Sequence, residues 1–229
     1  MSDAEEWKRD RFHPDFRLGS LTTITHCFDF ICPWSWVGWH HEQRLTQEFG
    51  VTFDWRPFEL VPPGMDFSPP PPRPADPDAP PQPPGRFDVY AHAEGVPMRS
   101  PKPPFVRSHA ALLASEFARA QGRFDAFVEA VYRAYWERAE GISNLSVLET
   151  LAEGVGIDGA GLTESVRAER FAERIVPFDD PAYAIGIRHI PTFLFGNEEK
   201  LAEANYSDLA HATERFLFRA KKLHGGGAK

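Results

Sequence analysis

The feature that most constrains this chain is a β-α-β pattern in which a cysteine-proline pair joins the first strand to the helix. Residues 21–31 are rich in β-branched and aromatic side chains, which is typical of a strand. Pro33 favours a first helical position, because its missing N–H would be unpaired there anyway. One helical face then carries a residue every four positions: Val37, His41, Leu45 and Phe49. Gly50 ends the helix, residues 51–55 alternate as a second strand, and such a crossover implies parallel strands.

The second half of the chain is first helical and then returns to β structure. Helical periodicity predicts four segments, at 108–122, 124–136, 146–152 and 162–171. Residues 191–195 form a short predicted strand, and 200–204 form its antiparallel partner after a Gly-Asn turn. A helix over 208–223 closes the chain. The pattern therefore predicts an α/β protein with a helical block between its β segments.

A proline-rich stretch separates these two parts. Residues 69–84 are mostly proline, so they can neither pack a core nor donate to a strand ladder. The composition predicts an extended polyproline II loop. Three roles stay open: a solvated loop, a lid beside the site, or a ligand for SH3-type domains.

Charge and composition exclude several classes of function. The net charge is −8, and no cluster of Lys or Arg precedes Lys221 and Lys222, which argues against nucleic-acid binding. The polar N-terminus does not resemble a signal peptide, and no apolar run reaches the ~20 residues that cross a bilayer. We therefore expect a cytoplasmic protein without a membrane partner. His40 and His41 are neighbours that point in different directions on a helix, so no metal site is predicted.

Cys27 and Cys32 are the two cysteines of the chain. An extended strand would separate them by about 16 Å, at ~3.3 Å per residue, and a disulfide needs Cα atoms within about 7 Å. We therefore expect no intrachain disulfide. At a helix N-terminus the Cys32 sulfur faces unpaired N–H groups, which favour a thiolate with a lowered pKa. The alternative is that Cys32 is a small buried hydrophobic residue.

Three segments resemble the DsbA-type family of thioredoxin-fold proteins, specifically its FrnE-like branch. They are the active-site segment at 28–38, the stretch after the second strand at 56–60, and the Ile-Pro-Thr-Phe segment at 190–193. The block at 108–158 is similar to the helical insertion of that branch. The resemblance covers most of residues 21–218 and implies a thioredoxin-like α/β core with an α-helical insertion.

The resemblance implies a division of the chain. Residues 20–60 and 174–223 would form the thioredoxin-like core, and 105–173 the helical insertion. Residues 61–104 would form a proline-rich connection. Residues 1–19 would form a polar N-terminal arm that has no counterpart in the family.

One departure from the family changes the expected chemistry. Dithiol members carry a second cysteine three residues after the first, where this chain has Ser35. Without that thiol, Cys32 cannot release a mixed disulfide by internal attack, so an external thiol such as glutathione is implied. The same segment is similar to kappa-class glutathione transferases and 2-hydroxychromene-2-carboxylate isomerases, in which a serine at the position of Cys32 activates the glutathione thiol.

The resemblance also implies roles for individual residues. Cys32, Ser35 and Pro191 would be the catalytic residues, with a cis bond before Pro191 that turns the Ile190 backbone towards Cys32. A substrate could then pair with that backbone like an added strand. His26 is a candidate proton relay, because histidine titrates near neutral pH. The remaining candidates for binding substrate or glutathione are Pro33, Trp34, Thr192, Asn205 and Tyr206.

Three functions follow from these expectations. The first is a cytoplasmic, monothiol, DsbA-like oxidoreductase that acts on a small-molecule or peptide thiol or disulfide. The second is a glutathione-dependent isomerase or transferase acting on a small electrophile, and the third is a redox-inactive peptide-binding module. No covalently bound cofactor is expected, glutathione is the expected co-substrate, and a homodimer stays open.

Overall fold

The computed structural model of the chain describes residues 23–67, 84–98, 102–177, 186–196 and 198–225. The predicted arm at 1–19 and nearly all of the predicted proline loop at 69–84 lie outside these residues. Within them, no helix combines the length and the apolar character that crossing a bilayer requires.

A five-stranded mixed sheet forms the centre of the molecule. Its strands are β1 (Thr23–Phe28), β2 (Thr52–Glu59), β3 (Val176–Pro177), β4 (Thr192–Phe195) and β5 (Glu199–Ala202). Their spatial order is β3-β2-β1-β4-β5. β1 pairs in parallel with β2 and antiparallel with β4. The predicted β-α-β unit is therefore confirmed, and β1 brings the cysteine-proline junction next to the strand that follows Pro191.

Seven α-helices lie in the described part of the chain: α1 (Pro33–Phe49), α2 (Arg86–Ala93), α3 (His109–Ala120), α4 (Phe124–Tyr132), α5 (Leu145–Gly154), α6 (Gly159–Arg167) and α7 (Tyr206–Gly225). α4 continues as a π-helical turn, Arg133–Glu137. α1 ends as predicted at Gly50, whose positive φ of 67° lets its N–H bond the carbonyl of Thr46. Sequence periodicity did not predict α2, which is only eight residues long and lies in the stretch assigned to the proline-rich connection.

The two larger apolar cores of the described residues hold most of these elements together. One packs α1 and α7 against β1 and β4, with Leu45, Phe193 and Phe216 among its members. The larger core joins α1 and the end of β1 to the helices of the insertion, and it includes Phe30, Trp36 and Tyr132. The insertion therefore packs directly against the residues that flank Cys32.

Candidate functional site

The turn between β1 and α1 is built around the buried side chain of Asp29. Its two carboxylate oxygens accept hydrogen bonds from the N–H of Ile31, at 3.2 Å, and of Leu60, at 2.8 Å. The backbone carbonyl of Asp29 accepts from the N–H of Cys32 at 3.2 Å. Buried backbone N–H groups need such partners, so Asp29 fixes the turn that places Cys32 at the start of α1.

Cys32 lies against the peptide that precedes Pro191. Its sulfur donates to the carbonyl oxygen of Ile190 at 3.3 Å, and the Ile190–Pro191 bond is cis. Gly38 lets α1 pack closely against this segment, because a Cβ at residue 38 would lie only 3.3 Å from both Pro191 Cγ and Phe193 Cζ. The two segments that resembled the DsbA-type family, 158 residues apart in sequence, therefore meet at one sulfur.

The expectation of a thiolate at neutral pH is wrong for this form of the protein. Cys32 is only 5% exposed, and burial raises the pKa of its thiol to about 11. The N–H groups of Ser35 and Trp34 and the Ser35 hydroxyl lower that pKa, as expected at a helix start, whereas the nearby charge of Asp29 raises it. Desolvation therefore outweighs the amide groups of the first turn.

This pKa predicts the pH profile of alkylation. With a pKa of about 11, roughly one thiol in 10⁴ is ionised at pH 7. We expect the iodoacetamide rate of the Cys27→Ala variant to rise about tenfold per pH unit and to level off only near pH 11. A plateau between pH 6 and 8 would contradict the burial seen here.

Since the pKa of Cys32 is higher in the folded than in the unfolded chain, the free energy of unfolding should fall as pH rises from about 9 towards 11.

The side chains that follow Cys32 divide between the site and the core. Pro33 occupies the first turn of α1 and is partly exposed. Trp34 is also partly exposed, and its ring contacts Phe87 and Tyr90 at centroid distances of 5.0 and 4.9 Å. α2 therefore covers the tryptophan next to the thiol. The Ser35 hydroxyl is fully buried beside Cys32, where it lowers the pKa of the thiol.

His26 is buried in β1, but its expected titration near neutral pH is wrong. Its Nδ1 lies 2.5 Å from a carboxylate oxygen of Glu42, and its ring stacks on Phe193 at 4.4 Å. Burial, with a smaller contribution from His41, lowers the pKa of His26 to about 3, while burial raises the pKa of Glu42 well above its ordinary value. His26 is therefore neutral at pH 7, which removes the basis on which it was expected to act as a relay.

Three other candidates have structural partners. The Thr192 hydroxyl is buried and donates to the carbonyl of His189 at 2.5 Å. Asn205 caps α7: its side-chain oxygen accepts from the N–H of Asp208. The Tyr206 ring packs on Arg44, three turns along α1 from Cys32. The structure therefore does not bring the side chains of Asn205 and Tyr206 to the thiol.

Cys27 and Cys32 are both free and buried. The expectation that they do not pair is therefore confirmed. Both belong to one apolar cluster, with Cys27 on β1 and Cys32 beyond the turn at Asp29. Burial raises the pKa of Cys27 to about 12.

Sequence reasoning missed two polar residues of this site. Asp29 gave one signal, since a carboxylate between Phe28 and Phe30 in an apolar run needs a buried partner. Tyr132 gave none, because a tyrosine on the apolar face of a helix is indistinguishable from an ordinary core residue. Its fully buried hydroxyl lies near Ser35, and burial raises its pKa well above the ordinary value.

Comparisons with known proteins agree with this geometry. Residues 23–213 match the family model described as the DSBA-like thioredoxin domain. A curated relative, the uncharacterized protein YwbO of Bacillus subtilis, is 26% identical over 173 residues, which cover 74% of this chain and 84% of YwbO.

Solved structures show the same fold at low identity. A probable DsbA oxidoreductase from Streptomyces coelicolor has a TM-score of 0.66 and 18% identity, covering 85% of this chain and 89% of its own. A 2-hydroxychromene-2-carboxylate isomerase has a TM-score of 0.63 and 18% identity, and the match covers 88% of this chain and 98% of the isomerase chain. The cytosolic disulfide reductase DsbM from Pseudomonas aeruginosa, solved with GSH, has a TM-score of 0.57 and 17% identity, and the match covers 88% of this chain and 99% of the DsbM chain. Because the family model matches residues 23–213, the chain belongs to the DsbA-like thioredoxin domain family, whose members include thiol-disulfide oxidoreductases.

Proposed function

We propose that this protein is a thiol-disulfide oxidoreductase that works through Cys32 alone and uses glutathione as its second thiol. The observation that carries the proposal is the position of one sulfur. Cys32 occupies the residue before the first turn of α1, its sulfur lies 3.3 Å from the Ile190 carbonyl oxygen, and Ser35 stands one helical turn further on. A serine cannot resolve a mixed disulfide, so the second thiol has to come from outside the chain.

The proposed cycle consists of two exchanges. The Cys32 thiolate attacks one sulfur of a substrate disulfide, a bond forms between that sulfur and Cys32, and the other substrate sulfur leaves and takes up the proton that Cys32 lost. The thiolate of glutathione then attacks the substrate sulfur of the mixed disulfide. Cys32 leaves as a thiolate, and the substrate departs as a disulfide with glutathione.

Substrate binding would overcome the high pKa of the resting thiol. In the structure the neutral thiol donates its proton to Ile190, which favours the protonated form. An extended substrate that pairs with this backbone would supply the Ile190 carbonyl with an N–H donor. The sulfur would then be free to ionise beside the N–H groups of Trp34 and Ser35, which lower its pKa.

The comparisons support glutathione only indirectly. DsbM is named as a cytosolic disulfide reductase, and its structure was solved with GSH, but at 17% identity it shares the fold alone. A cytoplasmic setting and the use of glutathione are therefore parts of the proposal.

Oxidised glutathione provides the direct test. We expect one glutathione to attach to Cys32, to be identified by peptide mass spectrometry, and to be removed by reduced glutathione. The Cys27→Ala variant should form the same adduct, because Cys27 is buried and its pKa is about 12. If no adduct forms up to pH 9, the redox-inactive peptide-binding module becomes the better description.

A second function is favoured by the burial of Cys32. A thiol with a pKa of about 11 and 5% exposure is a poor resting nucleophile, whereas a bound glutathione could supply its own sulfur. The protein would then be a glutathione-dependent isomerase or transferase. In that case turnover would survive the loss of the Cys32 sulfur.

A further inference from the structure

Tyr132 brings the helical insertion into contact with the thiol site. It lies in the last turn of α4, and its side chain is fully buried. Its ring centroid is 5.1 Å from that of Phe30 and 5.5 Å from that of Trp36. Phe30 lies two residues before Cys32 and Trp36 directly follows Ser35, so the ring contacts the chain on both sides of Cys32 in the sequence.

The hydroxyl groups of Tyr132 and Ser35 are both buried without a hydrogen-bond partner in the described part of the chain. The Tyr132 ring lies 5.5 Å from that of Trp36, the residue after Ser35, and the N–H of Ser35 bonds the carbonyl of Cys32 at 3.0 Å. In agreement with this packing, the Ser35 hydroxyl lowers the pKa of Tyr132 as well as that of Cys32. A negative charge on Cys32 also acts on Tyr132. The unpaired Ser35 hydroxyl is therefore next to the sulfur, and the unpaired Tyr132 hydroxyl is next to Ser35.

The direction of the thiol proton explains why the Ser35 hydroxyl has no acceptor at the sulfur. In the resting state Cys32 donates to the Ile190 carbonyl, and a neutral thiol is a weak acceptor. A thiolate is a much stronger acceptor of hydrogen bonds. The Ser35 hydroxyl therefore has an acceptor in the ionised state of the sulfur that it lacks in the neutral one.

We propose that Tyr132 is a positioning residue, whose hydroxyl donates to Ser35 so that the single Ser35 proton is directed at the Cys32 thiolate. Burial keeps the Tyr132 phenol protonated, so it remains a donor at every pH at which the thiol reacts. Ser35 can accept one hydrogen bond while it donates another. The inference rests on the proposed function, because it treats Cys32 as the reacting group, but its test measures ionisation and not turnover.

The test compares two tyrosines that stand three residues apart. Tyr132→Phe removes only the hydroxyl and keeps the packed ring. We expect the pKa of the Cys32 thiol, measured from thiolate absorbance or alkylation rate against pH, to rise by about half a unit to one unit, which slows alkylation below that pKa about three- to tenfold. Tyr135→Phe is the matched control: Tyr135 is equally buried, but its hydroxyl already donates to the Pro104 carbonyl at 3.1 Å. Its loss should leave the thiol pKa unchanged.

A double variant separates a relay from a general effect of packing. Since Tyr132 acts through Ser35, Tyr132→Phe should have no further effect on the thiol pKa in the Ser35→Ala background. An unchanged thiol pKa in Tyr132→Phe, or additive shifts in the double variant, would overturn the inference.

If Tyr132→Phe fails to fold, 3-fluorotyrosine at position 132 replaces it. Its more acidic hydroxyl is a stronger donor and should lower the thiol pKa, and an unchanged value would again overturn the inference. Failure of disulfide exchange with a normal Tyr132 effect would instead remove only the proposed function.

Discussion

Replacement of Cys32 by serine is expected to lower glutathione-dependent disulfide reduction at least about a hundredfold. A serine hydroxyl is not ionised at neutral pH and cannot form the mixed disulfide through which the cycle passes. The fold should tolerate the change, because the hydroxyl is slightly smaller than the thiol and can also donate to the Ile190 carbonyl, which lies 3.3 Å from the present sulfur. The loss would therefore report chemistry and not unfolding.

The measurement is the reduction of bis(2-hydroxyethyl) disulfide by glutathione, coupled to glutathione reductase and NADPH. Cys27→Ala is the matched control, since Cys27 is as deeply buried as Cys32 and lies in the same apolar cluster. We expect that variant to keep its activity. Equal losses in the two variants would indicate damage to the cluster and would contradict a special role for Cys32.

The Cys32→Ser variant also separates the two proposed enzymatic functions. If glutathione supplies the nucleophilic sulfur, conjugation of 1-chloro-2,4-dinitrobenzene should persist when Cys32 is replaced by serine, because serine occupies this position in the related transferases and isomerases. Retained conjugation without disulfide reduction would favour the isomerase or transferase. Loss of disulfide reduction in a protein that has no conjugation activity before the change would favour the oxidoreductase.

The local elements of the fold were predictable because their signals are local. Pro33 and Gly50 mark the two ends of α1, and the structure places the helix at Pro33–Phe49. The apolar face from Phe124 to Trp136 predicted one helix but not its change to π-helical geometry after Tyr132. β3 is two residues long and exists only because β2 offers it a partner, so no periodicity could reveal it.

The sequence predicted which two segments meet at the site, but not the pKa of the thiol there. The resemblance placed Cys32 and Pro191 together, and the structure has the Cys32 sulfur against the Ile190 carbonyl. The pKa of the thiol depends on what covers it, and the apolar cluster around it includes residues from distant segments, namely Phe58, Val176 and Ile187. A helix start can be recognised in the sequence, whereas the desolvation that outweighs it arises only from tertiary packing.

Replacement of Ser35 by cysteine should convert the single-thiol site into a self-resolving one. The N–H of Ser35 bonds the carbonyl of Cys32 at 3.0 Å, which holds the two residues one helical turn apart. Residues at this spacing have Cα atoms about 5–6 Å apart, within reach of a disulfide. The introduced thiolate would attack the Cys32 sulfur of a mixed disulfide with glutathione, a disulfide bond would form between Cys32 and the introduced cysteine, and glutathione would leave as the thiolate.

We expect the Cys32 adduct in the Ser35→Cys variant to release its glutathione at least about a hundredfold faster than the unmodified sequence does in the absence of free thiol. Rapid acid quenching followed by mass spectrometry measures both the adduct and the internal disulfide. Ser35→Ala is the control, because it also removes the hydroxyl but adds no sulfur, and its adduct should persist. Persistence of the adduct in both variants would mean that residue 35 does not face the sulfur, and it would also remove the basis for a Ser35 hydrogen bond to the thiolate.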